Sequence, residues 1–255
     1  MDAHYARNYR DLYERHWWWR AREDLILETL RRLRPGEAWG SILDVGCGDG
    51  LFFEELEKLG RVEGIEMDPT GVTPGGRWVD RIHVRPFDVG FLPGKKYALI
   101  LMLDVLEHLA DPHSSLRRAV ELLEPDGTIL ITVPAFPILW TSHDALNHHY
   151  RRYTRRSLAA LAERAGARIR RERYFFQWTS PVKLAAHFKE KLLPATPETP
   201  RVPAPWLNRS LYRLSRAEQR IFGGLPVPFG SSLLAVAGRA WPAAAAAPFS
   251  RTTVV

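Results

Sequence analysis

The feature that most constrains this chain is a short apolar segment that runs into a glycine-rich turn. Residues 41–45 predict a buried strand, and the turn that follows holds Gly46, Gly48 and Gly50. Residues 51–59 have the pattern of a helix after the turn. Glycines let the backbone approach a ligand closely, and the first N–H groups of a helix are free to donate hydrogen bonds. The segment therefore predicts a nucleotide-type site in an α/β fold.

Predicted strands and helices alternate along most of the chain. This alternation indicates a mostly parallel sheet with right-handed crossovers. Residues 177–230 break the pattern, because they are rich in proline, contain two amphipathic stretches and show no strand signal. We predict a helical insertion there. The strands predicted after the first are 62–66, 81–85, 97–103, 127–133, 167–176 and 231–237.

Four regions follow from this pattern and from the composition. Residues 1–37 are predicted to form leading helices over the ligand site, and residues 241–255 a flexible tail. The core is expected to span residues 38–176 plus 231–240, with the insertion between them.

With 45% hydrophobic and 25% charged residues, the chain is neither disordered nor fibrous. It has no run of about 18 apolar residues, no apolar leader and one cysteine, so we expect a cytoplasmic protein.

The net charge of +7 is compatible with nucleic acid, anionic lipid or a phosphorylated acceptor, and it selects none of them. The positive charge is uneven, since residues 151–173 hold nine arginines against two glutamates. An anion-binding surface beside the site and a solvated helix and strand face both explain this excess.

The turn differs from the fingerprint of dinucleotide-binding proteins. That fingerprint needs a third glycine at position 51, where this chain has Leu51. Asp44 also lies at the junction of strand and turn, where a carboxylate would repel a pyrophosphate. A carboxylate suits a cationic ligand with an amino group and no phosphate. S-adenosylmethionine has this chemistry.

Two further carboxylates fall where such a ligand would need them. Glu66 ends the second strand, 20 residues after Gly46, and can bind both ribose hydroxyls. Asp88 follows the third strand and can accept a hydrogen bond from an adenine amino group, although a helix-capping role explains it equally well. In an open α/β sheet the ligand lies over the carboxyl ends of the strands, where these residues fall.

Four segments, 42–50, 64–66, 87–88 and 104–108, resemble the successive motifs of class I S-adenosylmethionine-dependent methyltransferases. The resemblance covers residues 38–175 and 231–239. It implies a Rossmann-like sheet of seven mostly parallel strands, with the last-formed strand antiparallel. Cys47 is read as a small buried residue of the cofactor loop and not as a nucleophile. The cofactor-binding residues that we expect are Asp44, Gly46, Cys47, Gly48, Gly50, Glu66, Met67, Asp88, Val89 and Leu103.

The wider pattern, residues 16–22 and 143–154, is similar to a group of bacterial methyltransferases of undefined acceptor. In related enzymes an arginine of the leading helix meets the cofactor carboxylate. Arg22 is the best match and Arg20 the second. Trp19 is expected either to close over the cofactor or to belong to the apolar face of a docking helix.

Residues that could deprotonate an acceptor follow the fourth strand. Asp104-x-x-Glu107-His108 resembles the Glu-x-x-Glu-His segment of two metal-dependent groups, the small-RNA 2′-O-methyltransferases and the ubiquinone-pathway O-methyltransferases. The resemblance implies Asp104, Glu107 and His108 as ligands of a divalent metal, with a further ligand from His143 or His148. A site without metal is favoured, with His108, Glu107 and His143 as catalytic residues and His143 as general base.

The acceptor is the least determined part of the function. His148, Arg151 and Arg152 are expected to contact it, and Arg152 could instead anchor the next helix. We expect O-methylation of a small molecule, a lipid or a glycan intermediate. A metal-assisted RNA 2′-O-methyltransferase and a non-catalytic cofactor-binding relative are the alternatives. The cationic stretches of 177–230 could cover the substrate, pack on the domain, or contact the inner face of a membrane.

Overall fold

The sheet has the topology that the sequence predicts. The computed structural model describes residues 3–193 and 199–240, which form one seven-stranded sheet in the order β3-β2-β1-β4-β5-β7-β6. Strand β7 runs antiparallel to β5 and β6, and the other pairs are parallel. The strands are β1 Ser41–Val45, β2 Arg61–Glu66, β3 Ile82–Val84, β4 Tyr97–Leu103, β5 Leu123–Pro134, β6 Ala167–Phe175 and β7 Ser232–Arg239.

Helices cover the two faces of the sheet. None of those described is long and apolar enough to cross a membrane. The predicted tail lies outside the described residues. The helices are α1 Ala3–Arg15, α2 Trp17–Leu33, α3 Phe53–Glu57, α4 Pro112–Leu122, α5 Ser142–Leu146, α6 Arg155–Arg164, α7 Thr179–Leu192 and α8 Pro205–Ile221.

The leading helical segment is broken where the sequence pattern suggests continuity. The imidazole of His16 accepts a hydrogen bond from the N–H of Trp18 at 3.1 Å and caps α2. Capping satisfies one of the free donors at a helix start, so a new helix axis can begin there. The helix after the glycine-rich turn is also shorter than predicted, since α3 spans only Phe53–Glu57.

The core has two layers that meet at β4. Ile100 and Met102 face the layer formed with α4 and α6, whereas Leu99 and Leu101 face the layer formed with α2 and α3. Successive side chains of a strand point to opposite faces, so a nearly continuous apolar strand can be buried on both. Burying each such leucine contributes about 1.5–3 kcal/mol. This packing fixes the carboxyl ends of β1, β2 and β4, where the candidate site lies.

The two helices of residues 177–230 lie on different parts of the domain. Helix α8 packs on α2, where Arg216 contacts Asp24 and Glu28 and the amide of Gln219 donates to the carbonyl of Ala21 at 3.1 Å. Helix α7 contacts the segment after β5. Residues 177–230 therefore contact both the leading helix α2 and the segment after β5.

Candidate active site

The glycine-rich turn is held in a left-handed backbone shape. Gly46, Gly48 and Gly50 have φ values of 72°, 53° and 68°, which L-residues with a side chain rarely adopt. A Cβ atom at Gly46 would lie 2.9 Å from a methyl of Val105. The turn can therefore pass close to the end of β4 only because glycine is present.

Glu66 organises the same turn from the neighbouring strand. Its carboxylate accepts hydrogen bonds from the N–H groups of Gly48 and Asp68, each at 2.9 Å. The carbonyl of Ile65 accepts from the N–H of Gly46 at 2.8 Å. The ends of β1 and β2 thus form one hydrogen-bonded unit, with the Glu66 carboxylate at its centre.

Cys47 packs beneath this unit. A Cβ atom at Gly64 would overlap the sulfur of Cys47, so the thiol fills the space that glycine leaves open on β2. Burial raises the pKa of the Cys47 thiol well above its usual value, and the nearby carboxylates of Asp44 and Glu66 raise it further. The neutral thiol has a packing role.

Arg22 and Asp44 meet at the same edge of the sheet. Asp44 is buried at the end of β1, and burial raises its pKa to about 7, although the charge of Arg22 lowers it. The Nη2 atom of Arg22 lies 2.6 Å from Asp104 Oδ2 and 3.2 Å from Thr132 Oγ1, while its Nε has no hydrogen-bond partner. The largely buried guanidinium of Arg22 and the buried carboxylate of Asp44 therefore interact electrostatically at the end of β1.

The tryptophans of α2 divide between two surroundings. Trp17 and Trp18 pack against Phe176, with ring centroids 5.8 and 5.7 Å apart. Trp19 instead makes an edge contact with Tyr9 of α1 at 6.2 Å. Arg10 of α1 also forms an ion pair with Asp49 of the glycine-rich turn. Helix α1 and Trp19 therefore lie near the turn, while the other two tryptophans dock the helix.

The remaining predicted cofactor residues follow the ends of β2, β3 and β4. Met67 and Val89 are about two-thirds exposed, and Leu103 is half-buried. Asp88 accepts a hydrogen bond from the N–H of Gly90 at 2.8 Å, which stabilises its own turn. The structure brings these residues to one edge of the sheet.

A second cluster forms between the turn after β4, which holds Glu107 and His108, and the segment after β5, which holds His149. Glu107 is 1% exposed, and its Oε2 has no hydrogen-bond partner. Burial, with a contribution from Asp104, raises the pKa of Glu107 well above its ordinary value. Burial and the neighbouring His149 lower the pKa of His108 to about 4. Side-chain atoms of Glu107, His108 and His149 that could bind a metal all lie within 4.8 Å of one another.

Asp144 orients His149 within this cluster. The Nδ1 atom of His149 lies 2.8 Å from Asp144 Oδ1, so the other ring nitrogen is left for the site. Asp144 is fully buried and also accepts from the N–H of Thr141 and from two nitrogens of Arg152, each at 2.9 Å. Burial would raise its pKa, but the bonds from His149 and Arg152 hold that pKa well below its usual range.

The structure corrects the two predicted arginine contacts. Arg152 is buried and bonds to Asp144 and to the carbonyl of Ala135 at 3.0 Å. Arg151 donates to the carbonyls of Leu109 and Ala110 at 3.1 and 2.8 Å. The guanidinium of Arg151 therefore joins the segment after β5 to the turn after β4, and that of Arg152 holds two parts of the segment after β5 together.

The predicted metal ligands are only partly together in the structure. Among the described residues, the metal-type cluster contains His149 and not Asp104, and Asp104 forms an ion pair with Arg22. His148 is exposed and outside this cluster. His143 contacts the side chain of Asn147 at 3.1 Å, and burial lowers its pKa to about 4. His149 was not among the site residues predicted from the sequence. The signal that could have indicated it is Asp144, five residues earlier, which bonds to its ring.

A known family matches the region that holds these two clusters. The family described as "methyltransferase domain" matches residues 18–172, more than half of the chain. The chain belongs to the S-adenosylmethionine-dependent methyltransferases. The sheet order and the antiparallel β7 agree with the class I fold of these enzymes.

The curated relatives of this methyltransferase match part of its length. A ubiquinone biosynthesis O-methyltransferase of Azorhizobium caulinodans is 32% identical over 130 residues, which are 48% of this chain and 47% of the relative. The enzyme of the same name from Escherichia coli is 29% identical over 133 residues, 46% of this chain and 55% of the relative. The chain thus spans about half the length of these relatives.

Solved structures share the fold of this methyltransferase. One is a chain from the complex between the Haloferax volcanii Trm112 methyltransferase activator and a methyltransferase. Its TM-score is 0.57 and its identity 19%, and the match covers 94% of this chain and 96% of that chain. A TehB-like methyltransferase from Corynebacterium glutamicum has a TM-score of 0.52 and 18% identity, with 92% and 96% covered. At this identity the likeness concerns the fold alone.

Proposed function

We propose that this methyltransferase methylates a hydroxyl oxygen of a small, phenol-like acceptor. The observation that carries the proposal is the cluster that Glu107 and His108, in the turn after β4, form with His149, in the segment after β5. A hydroxyl is a poor nucleophile until its proton is removed, and this cluster offers groups for that task. The names of the curated relatives, which are O-methyltransferases, support the same reaction type.

The cofactor side of the proposal uses the residues at the carboxyl ends of β1, β2, β3 and β4. S-adenosylmethionine supplies a methyl group on a sulfonium when it is bound. Asp44 would accept a hydrogen bond from an α-amino group, and the Nε of Arg22, which has no partner among the described residues, would donate to a carboxylate. Glu66 would bind the ribose hydroxyls. We assign Met67, Asp88 and Val89 to the adenine.

The chemistry on the acceptor side rests on His149. Methyl transfer is an in-line displacement, so alignment of the acceptor oxygen and exclusion of water are the main requirements. His149 donates from Nδ1 to Asp144, and its other nitrogen can take the hydroxyl proton. The buried carboxylate of Asp144 stabilises the imidazolium that forms. This pairing makes His149 a better general base than His143, whose ring contacts the neutral amide of Asn147.

The same cluster fits a divalent cation. Glu107 has a buried oxygen with no partner, and two imidazoles lie beside it, a mixed set that Mn²⁺, Fe²⁺ or Zn²⁺ accepts. Glu107, His108 and His149 would hold the ion. A bound cation would lower the pKa of an acceptor hydroxyl. Removal of metal by a chelator therefore distinguishes deprotonation by His149 alone, which would persist, from deprotonation assisted by a bound cation, which would be lost.

A labelled-methyl assay tests the proposed function. The protein is incubated with methyl-labelled S-adenosylmethionine and catechol, or with a short RNA duplex, in the presence of Mn²⁺ or of EDTA. We expect the unmodified protein to transfer label to catechol. His149→Ala should lose this transfer and should still bind S-adenosylhomocysteine with unchanged affinity, as measured by calorimetry. His113→Ala, at a histidine outside the cluster whose ring contacts the carbonyl of Arg164, is the matched control. Label in RNA alone would overturn the proposal.

A further inference from the structure

Helix α7 is fastened to the segment that precedes the His149 cluster. The ring of His187 lies 2.6 Å from the carbonyl oxygen of Trp140. The carboxylate of Glu190 accepts from the N–H of Ser142 at 2.7 Å and from its hydroxyl at 3.0 Å. These contacts fix which face of α7 is turned toward the site.

Lys183 lies on that same face. Positions 183, 187 and 190 are spaced by four and then three residues, and side chains at this spacing stack along one side of a helix. The ammonium of Lys183 is half-buried and interacts electrostatically with Arg152, Asp144 and Asp104. Helix α7 therefore directs a cation toward the acceptor side of the sheet.

The charges that surround Lys183 are already paired with one another. Asp104 forms an ion pair with Arg22, and Asp144 forms one with Arg152. Lys183 has neither a hydrogen bond nor an ion pair with any residue that the structure describes. Burial and the charge of Arg152 lower its pKa to about 8, so the ammonium is still mainly charged at neutral pH. The protein supplies two balanced pairs and one unmatched positive charge.

We propose that Lys183 binds a carboxylate on the acceptor and so selects acidic phenols. The inference rests on the proposed function, since it places the anion on the molecule that is methylated. A buried or half-buried ammonium without a partner is costly, and a carboxylate brought by the acceptor would satisfy it. Recognition of a charged group through one fixed cation also orients the acceptor hydroxyl for attack.

Calorimetry with a matched pair of probes tests this role. The protein, saturated with S-adenosylhomocysteine, is titrated with 3,4-dihydroxybenzoate and with 3,4-dihydroxybenzamide, which differ in charge and share the phenol. We expect the benzoate to bind about tenfold tighter or more, as for a hydrogen bond to a charged group. Lys183→Met removes this preference and leaves benzamide binding unchanged, whereas Lys183→Arg retains it. Lys189→Met, at an exposed position of α7, is the matched control.

The other outcomes distinguish the two proposals. Equal binding of both probes by the unmodified protein would refute the role of Lys183 and leave the phenol methyltransferase standing. Binding of neither probe, with S-adenosylhomocysteine bound normally, would refute the phenolic acceptor and the role of Lys183 with it. If Lys183→Met weakened both probes equally, Lys183 would be structural and the selectivity proposal would be wrong.

Discussion

Asp144 is the residue whose replacement tests the framework of the site most directly. Its carboxylate has no solvent exposure, and it bonds to the Thr141 N–H, to His149 and to two nitrogens of Arg152. Asp144→Asn keeps the size and shape of the side chain and removes the charge. The guanidinium of Arg152, itself buried, would then lose its counter-ion.

The expected cost follows from this burial. Removing one member of a buried ion pair costs about 3–5 kcal/mol, because the remaining charge is left uncompensated. A domain of this class has a free energy of unfolding of about 5–15 kcal/mol. We expect Asp144→Asn to lower the free energy of unfolding by about 3 kcal/mol. For a domain of roughly this size that is a fall of about 6–12 °C in Tm.

Urea unfolding and thermal scans measure this loss. Asp11→Asn is the matched control, because Asp11 and Arg15 form a pair at 2.8 Å whose side chains are more than half exposed. An exposed pair contributes less than about 1 kcal/mol. A double-mutant cycle with Arg152→Met isolates the coupling between the two buried charges. The double variant should recover part of the stability that Asp144→Asn loses.

Two results would refute this reasoning. Asp144→Asn could cost no more than Asp11→Asn, which would mean that burial does not strengthen the pair. The effects of Asp144→Asn and Arg152→Met could also add without coupling, which would mean that the two charges do not depend on each other. Either result would remove the basis for treating Asp144 as the group that fixes His149.

Three further predictions concern the cofactor side. Arg22→Met should weaken S-adenosylhomocysteine binding at least about tenfold by calorimetry, as loss of a charged hydrogen bond implies, and equal weakening in Arg20→Met would contradict the assignment. Burial raises the pKa of Asp44 to about 7. The affinity for S-adenosylhomocysteine should therefore fall as the pH drops below 7, because the carboxyl is then protonated. If an Asp44→Asn variant showed the same dependence of affinity on pH, Asp44 would not be its cause. Gly64→Ala should cost about 1–3 kcal/mol in urea unfolding through overpacking, while Gly36→Ala, which meets no atom within 4 Å, should cost little.

The fold was predictable because its signals are local. The apolar run of β4, the glycines after β1 and the alternation of elements each depend on neighbouring residues, and the structure confirms the seven-stranded sheet. Capping by His16 was harder to predict, since histidine is an uncommon helix cap and the apolar spacing continues on both sides of it.

The candidate site was predictable in part. Arg22 and Asp104 are 82 residues apart, and sequence spacing gives no sign that they form an ion pair. Asp104 is outside the metal-type cluster of the described residues, and His149 lies beside Glu107 and His108 instead. The contacts of Arg151 could not be predicted either. Its guanidinium donates to a backbone carbonyl, and every residue type has that acceptor, so no sequence pattern indicates the contact.

The packing of α8 on α2 limits how residues 177–230 could be exchanged between relatives. Arg216 of α8 contacts Asp24 and Glu28 of α2, although about 190 residues separate these partners. The family match covers α2 from residue 18 and ends before both helices of the insertion. A chimera that exchanges residues 177–230 alone would place a foreign helix on an unmatched acidic surface. Exchange of the insertion between relatives therefore requires α2 and residues 177–230 to be grafted together as one unit.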